Sequence, residues 1–177
     1  MIEPQEMTDT QDRLSTRVDF ILALMPEMES GHPDRAVRYL SDDFIYTDTF
    51  PEPLNRDQYL EFQRLLKQAF PDWSHHLRDF EAEGEDIVHA ILERGGTHTG
   101  ELVLPGLQPI PPTGVTVQLP PEPVIFSFFE DIIDKIQVEE IPGGGLEGLL
   151  SHLGVEMPWT YSGLWTRRLI KPPAAIL

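Results

Sequence analysis

Cysteine is absent from this chain, so there is no disulfide framework and no thiolate-based metal site. Cationic side chains are scarce too: 13 Lys and Arg stand against 30 Asp and Glu, a formal net charge of −17. Nucleic-acid binding draws most of its affinity from Lys and Arg neutralising phosphates, so a nucleic-acid partner is not expected. An anionic membrane surface is disfavoured for the same reason. No apolar run approaches the roughly 18 residues that would suggest a membrane span. The opening residues, Met1 to Glu6, lack the basic and apolar regions of a signal peptide, and a cytoplasmic protein is expected. No Gly-x-Gly-x-x-Gly motif is present, and Gly143-Gly144-Gly145 lacks the Lys-Ser/Thr of a phosphate loop, so it reads as a hinge.

What is present suits one domain with a real core, at 177 residues and 40% hydrophobic content. Thr8 to Gln11 fits a capping box, and Leu14, Val18, Ile21, Leu22 and Met25 follow at helical spacing. Pro26 predicts an end or a kink there, and Ser30-Gly31 a stop. Pro33 opens a short second helix through Leu40. Phe44 to Asp48 reads as a strand. Asn55 to Gln58 is a second capping box, before a helix marked by Tyr59, Phe62, Leu66 and Phe70.

From Trp73 the pattern changes to antiparallel sheet. Trp73 to Glu83 and Ile87 to Thr99 flank Gly84-Glu85-Asp86 as a long hairpin. Val115 to Phe128 and Ile132 to Ile141 supply further strands, the first interrupted by Pro120, Pro121 and Pro123. Leu146, Leu149, Leu150 and Leu153 mark a closing helix. Helices first and long strands later indicate an α+β fold. The expected division is one domain over 1–155 and a tail over 156–177. The tail carries Trp159, Tyr161 and Trp165 with Arg167, Arg168 and Lys171. It is either an arm packed on its own domain or a dimer mate, or a docking segment for a protein partner.

The most informative stretch is Arg94-Gly95-Gly96-Thr97-His98-Thr99-Gly100 with Pro111-Pro112-Thr113-Gly114 behind it. With Phe70-Pro71-Asp72-Trp73, Ala82 to Val88 and Asp134-Lys135-Ile136, it resembles the SnoaL-like polyketide cyclase branch of the NTF2-like superfamily, over roughly Asp34 to Val155. The resemblance implies an NTF2-like cone: a curved antiparallel sheet, helices on its concave side and a ligand-sized cavity between. It also implies a homodimer and metal-free acid–base chemistry without a cofactor. The partner it implies is a small apolar molecule.

Strand alternation puts His98 on one face with Arg94, Leu92, Ala90 and Val88, and Trp73 and His75 roughly opposite on the neighbouring strand. Trp73, His75 and Arg94, with Tyr46 and Leu92, are therefore expected to orient a carbonyl or carboxylate ligand. His98 matches the family's motif histidine, and imidazole exchanges protons near neutrality. It is either an acid–base catalyst or a residue holding the turn between strands. Aldol cyclisation needs a base and an acid, and the resemblance implies a cavity Asp for much of that work. After Gly114, where relatives often show Asp or His, this chain offers only apolar residues, Gln118, or Glu122 among prolines. Asp48, or Glu139 or Glu140 on the last strand, could substitute, since an apolar cone raises a carboxyl pKa towards neutrality. The alternative for each is a solvated strand face.

His75-His76 point to opposite faces and do not make a metal site. The proline-rich stretch Leu102 to Pro112 is expected to be an apolar flap over the cavity mouth or a subunit contact. Two functions remain open at this point. One is a small-molecule-binding protein with cyclase or isomerase activity, using His98 with Asp48 or Glu139. The other is a noncatalytic ligand-binding or assembly module.

Overall fold

The structure is a computed structural model that describes residues 4–157. The aromatic and basic tail falls outside the described residues, apart from its first two positions. The chain runs through α1 (Pro4–Glu29), a 3-10 helix (Pro33–Tyr39), β1 (Leu40–Thr47), β2 (Leu54–Asn55) and α2 (Arg56–Ala69). Strands β3 (Ser74–Glu83), β4 (Ile87–Thr97), β5 (Thr116–Gln118), β6 (Glu122–Phe129) and β7 (Ile132–Val138) follow, and α3 (Gly145–His152) closes it. The α+β class is as expected. No helix among the described residues is long and apolar enough to cross a membrane.

Seven strands form one sheet in the order β2-β1-β7-β6-β4-β3, with β5 beside the far end of β4. The sheet is mixed, not antiparallel throughout, because β1 runs parallel to β7. A parallel neighbour needs a long crossover, and α2 with the β3–β6 meander provides it. The expected strand from Val115 splits at Pro120 and Pro121 into β5 and β6, since proline cannot donate to a ladder.

Two helix expectations need correction. Helix α1 begins at Pro4, so Thr8 lies inside it and does not cap it. It also continues through Pro26 for another turn to Glu29. Proline removes only the hydrogen bond to the Leu22 carbonyl, and that turn is held by burial of Met25 and Met28. Gly31, at φ 79°, then ends the segment where a side chain would be strained. The capping box at α2 is present as expected: Asn55 accepts from the Gln58 amide, and the Gln58 side chain accepts from the Asn55 amide.

The apolar faces of α1 and α2 meet the even-numbered side chains of β4, Val88, Ala90 and Leu92, and those of β6, Val124, Phe126 and Phe128. Tyr46, Phe44 and Tyr59 stack within this core. The Leu102–Pro112 stretch is not an exposed flap. Leu102, Leu104 and Ile110 are buried, and Leu102 pairs with Ile110 across a small isolated bridge. It folds on itself because apolar groups gain more from the core than from water.

The glycines around His98 permit close packing. Thr99 and Gly100 amides donate to the Ala69 carbonyl at the end of α2. A Cβ on Gly100 would lie 2.1 Å from the Gln68 carbonyl oxygen. Gly100→Ala is therefore expected to cost about 1–3 kcal/mol in urea denaturation by overpacking against backbone. An unchanged midpoint would contradict this account of the motif.

Candidate active site

The concave side of the sheet encloses a cavity of about 20 Å³, room for about one water molecule. It is lined by Met25 and Met28 of α1, Tyr59 and Gln63 of α2, and His75, Leu92 and Arg94 of the sheet, among others. The expected ligand-sized hollow is therefore largely filled by side chains. A wider concavity of about 570 Å³ lies outside the cone, between α1 and the β3–β4 turn. It is open, and its Arg17 is tied to Asp86 and Asp131 and lies over the Phe128 ring. The cavity inside the cone is the better site because its polar groups converge out of water.

Arg94 dominates that site. Its side chain is 4% exposed, facing Asp48 at 2% and Glu122 at 0%. Nε and Nη2 donate to the two Glu122 oxygens, each at 2.9 Å. Nη1 donates to Asp48 Oδ2 at 3.0 Å and to the Tyr46 hydroxyl oxygen at 3.2 Å. Tyr46 in turn donates to Asp48 Oδ2 at 2.7 Å. A guanidinium has five N–H donors, and these bonds leave only one. The expectation that Arg94 orients a carboxylate ligand is thus corrected: the protein's own carboxylates have taken that place.

The carboxylates have further supports. Gly145 N–H donates to Glu122 Oε1 at 2.6 Å, and Thr49 N–H to Asp48 Oδ1 at 2.6 Å. A Cβ on Gly144 would lie 2.7 Å from Glu122 Oε1, and one on Gly145 2.4 Å from Asp48 Oδ1. The triple glycine is therefore no hinge; it lets the start of α3 close on two buried acids. Burial raises the Glu122 pKa, with Asp48 adding to the shift and Arg94 opposing it. Burial also opposes the charge on Arg94, but Asp48, Tyr46 and Glu122 outweigh it and hold its pKa well above the usual value.

His75 and His98 differ sharply. His75 is paired in register with Arg94 across β3 and β4, so both side chains share the cavity face. The bulge in this hairpin lies between Arg78 and Glu81, too far along to disturb that pairing. Glu29 Oε1 accepts from the His75 backbone N–H at 2.6 Å and faces its Nδ1 at 3.2 Å. Burial opposes ionisation of Glu29, but the His75 contacts outweigh it and lower its pKa. A carboxylate only accepts, so Nδ1 carries the proton and Nε2 is left as the basic nitrogen. Burial lowers the His75 pKa against the pull of Glu29, and the ring is neutral at pH 7.

His98 is buried but does not line the cavity. The Thr113 amide donates to its Nδ1 at 3.2 Å and the Thr113 hydroxyl lies 2.9 Å from the same nitrogen. Its proton is therefore on Nε2, which has no hydrogen-bond partner among the described residues. The ring stacks on Phe70, and its backbone bonds Val115 and Gly114. Of the two roles considered for His98, the geometry matches the turn-holding one.

Tyr46 and Leu92 line the cavity as expected. Trp73 does not; it packs on Phe70 and meets the edge of His75 from behind. Asp48 is buried and joined to the cluster through Arg94. Glu139 and Glu140 are exposed and lie past the end of β7, so neither reaches the cavity. Among the described residues no group of His, Asp and Glu could hold a metal ion.

Four contributors are not singled out as site residues by sequence reasoning, and each carries a signal. Glu122 shares strand parity with buried Val124, Phe126 and Phe128. Glu29 follows Ile21 and Met25 at four-residue steps on the apolar stripe of α1. Tyr59 and Gln63 are a helical step apart on the buried face of α2.

The family model for SnoaL-like polyketide cyclases matches residues 18–133. The chain belongs to the SnoaL-like polyketide cyclase family. No curated protein sequence matches it. Among solved structures, AclR from Streptomyces galilaeus is 19% identical with TM-score 0.63, over 82% of this chain and 88% of that one. TsrD from Streptomyces laurentii is 18% identical with TM-score 0.61, over 79% and 96%. A phenazine biosynthesis-related protein from Pseudomonas aeruginosa is 13% identical with TM-score 0.58, over 86% and 94%. At these identities the structural similarity speaks to the fold.

Two predictions follow from the site's electrostatics. Glu122→Ala leaves Arg94 without its bidentate partner in a buried place, and is expected to cost about 3–5 kcal/mol in urea denaturation. A loss below about 1 kcal/mol would show that the cluster is not held as described. The second concerns pH. Burial depresses the pKa of both His75 and His98, so the unfolded chain binds protons near its ordinary value, about 6.5, that the native state refuses. Stability should therefore fall as pH drops from about 7.5 through that value. The raised Glu122 pKa acts in the opposite direction, so the diagnostic is a shallower decline in His98→Asn than in wild type. Parallel curves for the two proteins would contradict a buried neutral His98.

Proposed function

We propose that this SnoaL-like protein binds a small, largely apolar carbonyl compound in its cone and moves a proton on it, as a cyclase or isomerase. The observation that supports this reading best is the neutral His75 ring on the cavity wall, its Nδ1 proton committed to half-buried Glu29. That arrangement is a general base with an orienter. Nε2 would take a proton from the carbon α to the carbonyl, leaving an enolate. The resulting imidazolium is stabilised by the Glu29 carboxylate on its other side. The enolate carbon then attacks a second carbonyl in a cyclisation, or the proton returns at a different carbon in an isomerisation. Asp48 enters this scheme as a support for Tyr46 and Arg94. With Arg94 held by Asp48 and Glu122, a neutral substrate is favoured over a carboxylate.

A second reading, a noncatalytic ligand-binding or assembly module of the same fold, is favoured by the small size of the cavity. The two separate on one experiment. Acetophenone in D2O is followed by NMR for deuterium entering its methyl group. The catalytic reading expects wild type to accelerate exchange, His75→Asn to lose about 100-fold or more of that acceleration, and Glu29→Gln to lie between them. Exchange should also fall on the acid side as the His75 ring becomes protonated. Equal exchange with wild type and His75→Asn would leave the noncatalytic reading.

A further inference from the structure

The weakest polar contact in the cavity wall is the one made by Tyr59. Its hydroxyl is buried and donates at 3.0 Å to the sulfur of Met28. A thioether is a poor acceptor, and a carbonyl oxygen in its place would make a stronger bond. Met28 is also well suited to leave. Its unbranched side chain has several rotatable bonds, and it is the penultimate residue of α1, in the turn where Pro26 has removed a helix hydrogen bond. Met25 lines the same cavity from the same turn.

We infer that the Tyr59 hydroxyl is a binding subsite for a neutral carbonyl oxygen, with the Met28 thioether as its replaceable occupant. Gln63, one helical turn on from Tyr59, lines the same cavity. Leu77, Leu92, Val124 and Phe126 supply apolar wall for the rest of the ligand. Arg94 is taken up by Asp48 and Glu122, so it does not serve as the cation for an anionic head group. The ligand class is thus a ketone, ester or lactone with an apolar body. Withdrawal of Met28 both opens the space and frees the donor.

The inference deepens the proposed function and uses the same cavity, but its test reads binding and not turnover. A protein that binds the probe as described yet shows no His75-dependent exchange would sink the catalytic reading alone. Full-length protein with 13C-methyl methionine is titrated with acetophenone, ethylbenzene and benzoate, reading the Met25 and Met28 methyl signals by NMR. Acetophenone should shift both signals saturably, and benzoate should not. Tyr59→Phe should weaken acetophenone by about three- to tenfold, the worth of one neutral hydrogen bond, while leaving ethylbenzene unchanged. Met28→Ala should tighten acetophenone; Met28→Val serves if the alanine variant does not fold. Equal loss of ketone and hydrocarbon in Tyr59→Phe would overturn the inference. So would benzoate binding as well as acetophenone, or no saturable ketone binding to wild type and a folded Met28 variant.

Discussion

One guanidinium, shared between two buried carboxylates, ties the functional end of this fold together. Arg94 comes from β4, Glu122 from the start of β6, Asp48 from just past β1, and the Gly145 amide from the start of α3. Four segments distant in sequence meet at one cation. Taking three charges out of water is costly, and only close hydrogen-bonded geometry offsets it. That demand explains the local sequence. Gly144 and Gly145 are bare because a Cβ on either would collide with the acids, and Pro120 and Pro121 end β5 so that Glu122 can start a new strand facing inward.

The same cluster decides what the cavity can do. Because the carboxylates occupy Arg94, it serves as framework and as a source of field, not as a ligand clamp. Basicity is left to His75, whose partner across the hairpin is Arg94 itself. The contrast with His98 is one of hydrogen-bond direction. Glu29 can only accept, which puts the His75 proton on Nδ1 and leaves Nε2 basic. The Thr113 amide can only donate, which uses the lone pair of His98 and leaves a buried N–H instead. Two imidazoles on adjoining strands therefore have opposite tautomers, and one alone is on the cavity wall.

Much of the architecture was legible in the chain. The capping box at Asn55, the hairpin around Gly84 and the glycine-flanked histidine motif were each read in place. Strand alternation correctly put His75 beside Arg94. What failed did so for tertiary reasons. Pro26 does not end α1, because burial of Met25 and Met28 holds the extra turn. The parallel pairing of β1 with β7 has no local signal at all. The sequence leaves the two roles of His98 open, because the motif shows a histidine at a strand end but not the Thr113 amide aimed at it. Glu122 was passed over among prolines although its parity with Val124 and Phe126 marked the buried face. A charged residue on an apolar alternation is a sign of a buried pair, here with Arg94.

The central claim is that His75 is the available base and is set in that state by Glu29. Nitrogen-15 NMR of the histidine rings tests it most directly. The account predicts a neutral His75 at pH 7 with its proton on Nδ1, and a redistribution between the two nitrogens in Glu29→Ala. An imidazolium at pH 7, or a proton on Nε2 that Glu29→Ala leaves in place, would contradict it.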